Sequence, residues 1–331
     1  MPGQTPILTI TLNPALDVDA RFDGAVRPGP KLRLGRPGYD PGGGGVNVAR
    51  AIRRLGGEAV AAAALGGPTG ARIADLMQAE GLVPAALPAP GETRQSLTVN
   101  EAATGDQYRF VLPGPDWPPQ AVDDVLAALS AATPPGAIVV LSGSQPPGVP
   151  DDFAATLAAV LAPAGARLIV DTSGAALTAL ASPSRSSASR DAAPEVLRMD
   201  EAEAETLAGR PLPEVADTAA FAGELVAAGV ARVVVLARGA NGSVLVGAGR
   251  RLHCIPPVVR VQSKVGAGDS FTGAVALSLA RAEGWAEALR QGTAAAAAAV
   301  MTPATELCRP GDVVRLGPEC RLIPLPGDAG T

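Results

Sequence analysis

The sequence is poor in cysteine, histidine and aromatic residues, and each shortage excludes a class of site. A single histidine, His253, among 331 residues excludes histidine-rich metal centres and leaves any Ser-His-Asp triad dependent on that one residue. The three cysteines, Cys254, Cys308 and Cys320, lack the spacing of a metal site and do not pair off evenly. This usage is typical of a protein in a reducing, cytoplasmic setting.

Long apolar runs and strong basic charge are also missing. No uncharged apolar stretch of about 18 residues has the hydropathy of a membrane span. The net charge is −5 and the isoelectric point is near 5.1, so we expect neither a nucleic-acid nor a membrane-surface partner. The sequence has no P-loop, no G-x-G-x-x-G fingerprint and no protein-kinase signature. Any nucleotide is therefore expected to bind on another fold.

Short β-type runs alternate along the chain with alanine-rich helical runs. Because 47% of the 331 residues are apolar, the chain can build a large core. We predict an α/β fold in a single domain over residues 1–331, with a mostly parallel sheet covered by helices on both faces. The predicted strands cover residues 7–12, 59–65, 137–141, 168–171 and 232–236, and the predicted helices cover 46–55, 70–80, 121–132, 151–162, 201–208, 214–228 and 271–282.

Two stretches, 14–40 and 93–112, interrupt this alternation with β-type patterns. Residues 96–100 and 107–111 flank a Thr-Gly-Asp turn and are predicted to form a hairpin. We expect the two stretches to form a small β-sheet lid over the open end of the main sheet. Residues 182–194 are expected to be a mobile surface loop, and the tail after Arg321 is expected to be frayed.

The most informative motif is Gly266-Ala267-Gly268-Asp269, which precedes a helix-compatible run. Free backbone N–H groups and the positive end of a helix dipole would form an anion site here. A carboxylate beside a bound anion suits a general base in phosphoryl transfer to an alcohol. The alternative interpretation is a glycine-rich turn in which Asp269 caps the helix.

A second glycine-rich loop, Gly42-Gly43-Gly44-Gly45, precedes Val46 and Asn47. Glycines allow the backbone to approach a ligand closely, and Asn47 could bind a polyol, although a flexible loop is the simpler alternative. Asp17 and Ser144 follow predicted strands, where open α/β sheets bind ligands. Asp17 could hold sugar hydroxyls, or it could serve as a turn or cap residue.

Cations lie near the two β-type stretches. Lys31, Arg33 and Arg94 could bind the phosphate of a substrate, or each could be a solvated surface charge. The run Gly239-Ala240-Asn241-Gly242 could be a nucleotide-phosphate turn or an ordinary β-turn.

Taken together, these motifs resemble the PfkB branch of the ribokinase-like sugar kinases over nearly the whole chain. The segments that begin at Gly42 and Gly266 match the family's amino-terminal and carboxy-terminal signatures. Several further stretches are most similar to the branch that phosphorylates fructose 6-phosphate at its 1-hydroxyl. Kinases of fructose 1-phosphate and tagatose 6-phosphate share much of the pattern, so these sugars remain alternatives. The resemblance implies a ribokinase-like three-layer fold with a small β-sheet lid.

The resemblance also implies residue roles. Asp269 would be the base, and the N–H groups of Gly266, Ala267 and Gly268 would hold the charge of the transferred phosphoryl group. ATP with Mg²⁺ would be the donor, a monovalent cation could bind near Ser263, Val265 and residues 299–306, and two chains would pair through their lids. The sugar would be held by Asp17, Gly42, Gly43 and Asn47, with Lys31, Arg33, Arg94 and Ser144 near its phosphate.

The chain departs from the family pattern on the nucleotide side. Where the family has Lys-Pro-Asn-x-x-Glu, this chain has Arg198-Met199-Asp200 followed by Glu201-Ala202-Glu203. A second change places Arg238 directly before Gly239. Arg198, Asp200, Gly239 and Gly242 are the resulting nucleotide-binding candidates, and Glu203 and Asp200 the candidates for Mg²⁺. These departures also motivate an alternative function, a non-catalytic sugar-phosphate or nucleotide sensor.

Overall fold

Two β-sheets organise the chain in the computed structural model, which describes residues 3–182, 193–303 and 306–330. The main sheet has ten strands and the second sheet has four. The strands are β1 (Ile7–Thr11), β2 (Ala15–Phe22), β3 (Gly38–Gly42), β4 (Val60–Ala64), β5 (Val83–Leu87), β6 (Arg94–Glu101), β7 (Gln107–Val111), β8 (Ile138–Ser142), β9 (Arg167–Asp171), β10 (Val196–Asp200), β11 (Val233–Ala237), β12 (Ser243–Gly247), β13 (Arg250–Ile255) and β14 (Arg321–Pro324).

Helices cover both faces of the main sheet. They are α1 (Gly44–Arg54), α2 (Gly67–Ala79), α3 (Pro119–Ala132), α4 (Phe153–Leu161), α5 (Gly174–Leu180), α6 (Glu201–Ala208), α7 (Val215–Ala227), α8 (Ala267–Ala280), α9 (Gly284–Ala299) and α10 (Pro310–Leu316). No helix in these described parts is both long and apolar enough to cross a membrane.

The main sheet has the order β14-β13-β12-β11-β10-β9-β8-β1-β4-β5. Its strands from β11 through β5 are parallel, and β12, β13 and β14 add an antiparallel edge. The central strands are buried on both faces, which explains why they are continuous apolar runs. The mostly parallel α/β sheet expected from the sequence is confirmed.

Alternate residues of each strand supply two core layers. One layer packs against α1, α8, α9 and α10, and the other packs against α3, α4 and α7. Helices α1 and α8 approach closely at Gly273, where a Cβ would lie only 2.9 Å from the Cβ of Ala51. This close approach brings the amino-terminal ends of two helices from distant parts of the sequence together, and both ends carry candidate site residues.

The four-stranded sheet has the order β3-β2-β6-β7 and contains the hairpin predicted over residues 96–111. The expectation that the tail after Arg321 is frayed is wrong. β14 pairs with β13, and Asp328 accepts hydrogen bonds from Arg250 Nε at 2.9 Å and from the Arg251 backbone N–H at 2.8 Å. Of the loop predicted over 182–194, residues 183–192 lie outside the described part of the chain.

Candidate active site

The carboxyl ends of the parallel strands gather the candidate residues at one edge of the main sheet. Asp171 ends β9, Asp200 ends β10, and Arg238 follows β11. Ser142, the last residue of β8, is paired in register with Asp171. Strand β2 of the small sheet begins four residues after β1 ends, so the small sheet also starts from this edge.

Asp269 lies in the first turn of α8. The helix begins at Ala267, four residues earlier than the predicted start, because Gly266 adopts φ 75° and accepts the Ser270 N–H at 2.9 Å. The cap position is therefore Gly266, and the interpretation of Asp269 as the helix cap is wrong. The first N–H groups of the helix have no acceptor within it, as an anion site requires.

The carboxylate of Asp269 accepts a hydrogen bond from Asn47 Nδ2 at 3.0 Å, which joins α8 to α1. Burial and the nearby carboxylate of Asp171 raise the pKa of Asp269 to about 7, against the opposing effects of Asn47, Arg198 and Arg50. A carboxyl group with a pKa near the working pH can accept a proton and release it again, which suits a general base.

Asp171 is a residue that the sequence analysis treated only as the end of a strand. Its Oδ1 accepts from Arg198 Nη1 at 3.3 Å, and its Oδ2 accepts from Thr272 Oγ1 at 2.8 Å. Thr272 lies about one helical turn beyond Asp269 on α8, so Asp171 connects β9, β10 and the first turns of α8. The sequence signal that could have identified Asp171 is an acidic residue at the carboxyl end of a buried parallel strand.

The glycine-rich segment that runs from the end of β3 into the first turn of α1 packs too tightly for any side chain. A Cβ at Gly42 would lie 2.2 Å from Asp17 Oδ2, and one at Gly44 would lie 2.5 Å from Ser142 Oγ. Gly43 adopts φ 113°, a conformation that other residues rarely adopt. The loop therefore presents bare backbone between Asp17 and the end of β8, and the flexible-loop alternative is wrong for this segment.

Asp17 lies on β2, opposite Asp40 on β3 and Ser96 on β6. Burial raises the pKa of Asp17 to about 6, although Arg94 and Arg109 lower it. Arg109 is a second residue that the sequence analysis did not single out. The residues around Arg109 carry no sequence signal for such a role beyond their place in the predicted hairpin.

Arg94 directs its guanidinium at backbone carbonyls near Asp17. Its Nε and Nη2 donate to the carbonyl of Asn13 at 3.3 and 3.2 Å, and its Nη1 donates to that of Leu112 at 3.3 Å. Asn13 Nδ2 in turn donates to Ser144 Oγ at 3.2 Å, which brings Ser144 to the same place. Arg94 and Ser144 thus both lie next to Asn13, and their role at a substrate phosphate stays a prediction.

Lys31 and Arg33 are not brought to this cluster. Both lie in the irregular segment between β2 and β3, and both side chains are exposed. Within the described residues, neither side chain has a hydrogen-bond or ion-pair partner. Their place in a substrate site therefore remains a prediction.

Asp200 and Glu203, which the sequence predicts to serve the nucleotide and Mg²⁺, form a capping box at the start of α6. The Asp200 side chain accepts the Glu203 N–H at 2.9 Å, and the Glu203 side chain accepts the Asp200 N–H at 2.8 Å. Arg198 lies against the first turn of α8, because a Cβ at Gly268 would be 3.1 Å from its Nη1. One cation thus lies beside the free N–H groups of α8.

Arg238, the second departure, is buried among partners of its own. Its buried guanidinium donates to Thr218 Oγ1 and, at 2.6 Å, to the carbonyl of Pro213, and it forms an ion pair with Glu201 at 3.6 Å. The turn that follows is fixed at Gly242, where a Cβ would lie 2.1 Å from the carbonyl oxygen of Cys254. Gly239 begins the same turn, so both candidate glycines lie in one rigid segment.

The acidic residues fit Mg²⁺ that is bound mainly through nucleotide phosphates. Among the residues that the structure describes, no three metal-ligating side chains converge as a ready chelating cluster. Mg²⁺ usually keeps several waters and binds one or two carboxylates together with substrate phosphates. The capping box engages one oxygen each of Asp200 and Glu203 and leaves the second.

Comparison with known proteins gives concordant matches. The model of the pfkB family of carbohydrate kinases matches residues 10–311. An ATP-dependent 6-phosphofructokinase isozyme 2 of Mycobacterium tuberculosis is 38% identical over 315 residues, which cover 95% of this chain and 89% of that protein. The Escherichia coli protein of the same name is 38% identical over 314 residues, which cover 94% of this chain and 97% of that protein.

Solved structures share the fold over almost the full length. Phosphofructokinase-2 from Escherichia coli in complex with potassium has a TM-score of 0.87 and 36% identity, with 95% of this chain and 99% of that chain covered. The same enzyme has been solved with fructose-6-phosphate and in a tetrameric inhibited form, each with a TM-score of 0.85. The expected ribokinase-like fold is thereby confirmed.

Proposed function

Because this chain belongs to the pfkB family of carbohydrate kinases, we propose that it transfers the terminal phosphoryl group of ATP to the 1-hydroxyl of fructose 6-phosphate. The observation that carries the proposal is the position of Asp269. This carboxyl has a pKa of about 7 and lies in the first turn of a helix whose free N–H groups can bind an anion. A residue that only shaped the helix would need neither feature.

The chain's own groups divide the reaction between them. Asp269 accepts the proton of the sugar hydroxyl as the oxygen attacks phosphorus, and Asn47 Nδ2 orients that carboxylate. The N–H groups of Gly266, Ala267 and Gly268 stabilise the charge on the transferred phosphoryl group, and the guanidinium of Arg198 lies beside them. Catalysis then depends mainly on positioning and electrostatics.

The sugar phosphate, as acceptor, would bind on the side of Asp269 away from the N–H groups of Gly266, Ala267 and Gly268. Asp17 and the bare backbone of Gly42 and Gly43 offer hydrogen bonds to sugar hydroxyls. Arg94 and Ser144, which lie together near Asn13, are proposed to face the sugar's phosphate. The related enzyme from Escherichia coli has been solved with fructose-6-phosphate, which supports this choice of acceptor.

Ions are proposed on the nucleotide side. Glu203 and Asp200 would hold Mg²⁺ next to the ATP phosphates, where it supplies positive charge that offsets the phosphate charge. For a monovalent cation, the carbonyl of Val300 accepts the Gln262 N–H at 2.7 Å and so brings residues near Ser263 and Val265 beside the 299–303 segment. Residues 304–305 of that expected site lie outside the described chain. The Escherichia coli structure with potassium supports such a site.

The small sheet is proposed to be a lid through which two chains pair. Its edge strand β7 and the residue after it expose Phe110, Val111 and Leu112, at 54%, 59% and 56% of their surface. Adjacent exposed apolar side chains on an edge strand are typical of an interaction surface. We expect Phe110→Asp to convert a dimer into a monomer in sedimentation velocity, whereas Val314→Asp, at a site outside the lid that is 77% exposed, leaves the size unchanged. A wild-type monomer would contradict the proposal.

The function is tested by ADP release over a panel of sugar phosphates. We expect ATP-dependent turnover with fructose 6-phosphate to exceed turnover with fructose 1-phosphate and tagatose 6-phosphate, with fructose 1,6-bisphosphate as product. Preference for either other sugar would change the substrate and keep the chemistry. Calorimetric binding of sugar phosphate and ATP without ADP release would overturn the proposal in favour of a sensor. A kinase of this kind works where ATP and sugar phosphates are found, in the cytoplasm, and its three buried free cysteines are consistent with that setting.

A further inference from the structure

Arg50 is the most fully bonded charged side chain near the base, although it does not touch the crevice itself. It lies on α1, one turn after Asn47, and only 4% of its side chain is exposed. Its Nε and Nη2 bind both carboxylate oxygens of Glu80 at 2.7 and 2.8 Å. The remaining N–H groups reach Asp40 Oδ1 at 3.4 Å, the carbonyl of Pro41 at 3.4 Å and Asn47 Oδ1 at 3.2 Å.

The bond to Asn47 matters because an amide side chain has two chemically different ends. A guanidinium can only donate hydrogen bonds, so it must face the oxygen of the amide and not its nitrogen. With Oδ1 held by Arg50, the Nδ2 of Asn47 is directed at Asp269. Rotation of the amide by half a turn would leave two donors facing each other at Arg50 and two acceptors facing each other at Asp269.

The other partners of Arg50 tie this arrangement to the small sheet. Asp40 and Pro41 belong to β3, and Glu80 follows α2. We propose, on the basis of the function proposed above, that Arg50 is a positioning residue that sets the amide of Asn47 toward Asp269 and couples this pair to lid strand β3. It acts through Asn47 and does not contact the reacting atoms.

The electrostatic surroundings of Asp269 give this role a readout that a merely structural residue would not move. Asp171 on β9 raises the pKa of Asp269, whereas Arg198 on β10 and the α1 residues Asn47 and Arg50 lower it. Loss of Arg50 removes one cation and loosens the hydrogen bond from Asn47. Both effects favour the protonated carboxyl, so the acid limb of the activity profile should move to higher pH.

The test compares Arg50→Met and Arg50→Lys with Arg53→Met, a matched control on the same helix. Arg53 is exposed and, in the described part of the chain, has no ion-pair partner. We expect Arg50→Met to lower kcat by about 10- to 100-fold, the scale of a displaced reacting group, and to shift the acid limb upward. Arg50→Lys, which keeps the charge but not the planar fork, should lower kcat with a smaller shift, and Arg53→Met should match the wild type.

A double-mutant cycle identifies the path. If Arg50 acts through Asn47, Arg50→Met combined with Asn47→Ala should be scarcely worse than Asn47→Ala alone. If the double variant instead loses kcat by the product of the two single losses, the proposal is overturned. Should Arg50→Met fold poorly because Glu80 loses its partner, Arg50→Met combined with Glu80→Gln removes that unpaired charge and is measured in its place.

A substrate-free measurement separates this inference from the proposed function. A carboxyl whose pKa is higher in the folded protein than in the unfolded chain destabilises the fold as the pH rises from the unfolded pKa to the folded pKa. Asp269→Asn abolishes that contribution. The Asp269-dependent loss of thermal stability should extend to higher pH in Arg50→Met than in the wild type. If the wild type turns over no sugar phosphate, the function fails and this shift still tests Arg50. An unchanged stability profile together with an unchanged acid limb would overturn the role of Arg50.

Discussion

At the end of the crevice that is proposed to bind the acceptor, Asp17 and Asp269 are carboxyls whose pKa values burial raises to about 6 and about 7. At the end that is proposed to bind the nucleotide, Asp200 and Glu203 bind each other's backbone N–H groups, and Arg238 is buried among partners of its own. Acidic side chains thus perform two kinds of work in one crevice. Burial also raises the pKa of Glu203, but Glu203 and Asp200 hold the start of α6 through their backbone hydrogen bonds, whereas Asp269 lies beside the free N–H groups of α8 and is suited to proton transfer.

This difference also explains the two departures from the family pattern. Asp200 retains a structural role as the cap of α6, because Asp and Asn are both good cap residues. Arg238 holds the start of α7 and the residues before it to the end of β11, and its charge is paired with Glu201. Neither departure places an uncompensated charge beside the anion site of α8, which weighs against the sensor alternative.

The largest expected effect comes from removing the base. Asp269→Asn should lower kcat by roughly 10²–10⁴-fold, the usual contribution of a general base, because the amide cannot accept the proton of the hydroxyl. The variant should still fold, and at pH 8 its melting temperature should rise, since a buried carboxyl no longer has to ionise. Steady-state ADP release and thermal unfolding measure the two effects. Near-wild-type turnover would remove Asp269 from the mechanism.

A smaller and more selective effect is expected at the acceptor end. Arg94→Ala should raise the KM for the sugar phosphate by about tenfold or more, the scale of a lost charge-assisted hydrogen bond, with little change in the KM for ATP. Arg109→Ala is the matched variant, because Arg109 also lowers the pKa of Asp17. Initial rates with each substrate varied in turn provide the comparison. Equal increases in both KM values would exclude Arg94 as a substrate-phosphate ligand.

The smallest effect is expected at the nucleotide end. Asp200→Asn should preserve the helix cap and the melting temperature. It should change the KM for ATP by less than about fivefold, because the Asp200 side chain is exposed and the proposed Mg²⁺ ion keeps Glu203 and the nucleotide phosphates. A loss of turnover approaching that of Asp269→Asn would instead show that Mg²⁺ binding depends on the Asp200 carboxylate itself, and not mainly on Glu203 and the nucleotide phosphates. That outcome would remove the contrast between the two ends of the crevice.

The parts of the fold with local causes could be predicted from the sequence. Buried strands such as β8 are continuous apolar runs, and the helix over 201–208 follows a cap signal, so pattern alone locates them. The tail could not be predicted in this way, because β14 is stabilised by pairing with β13 and by Arg250 binding Asp328. Such contacts join residues far apart in the chain, and composition near the terminus indicated only fraying.

The candidate site divides along the same line. Asp269, Asn47 and the glycine-rich loop carry short-range signals, and the chain brings them together through α1 and α8. The role of Asp171 depends on its neighbours Arg198 and Thr272, which come from two other elements. Whether a carboxylate caps a helix or remains available is likewise decided by its three-dimensional partners, which the spacing of residues does not specify.

The pH dependence of kcat/KM tests the central claim most directly, because it reports the pKa of the base in the free enzyme. With the pKa of Asp269 raised to about 7, activity should fall tenfold for each pH unit well below that value, and the fall should centre near pH 7. A profile that stays flat down to pH 5 would contradict the account, because it would mean that the carboxylate is ionised as in water and that its burial contributes nothing to proton transfer.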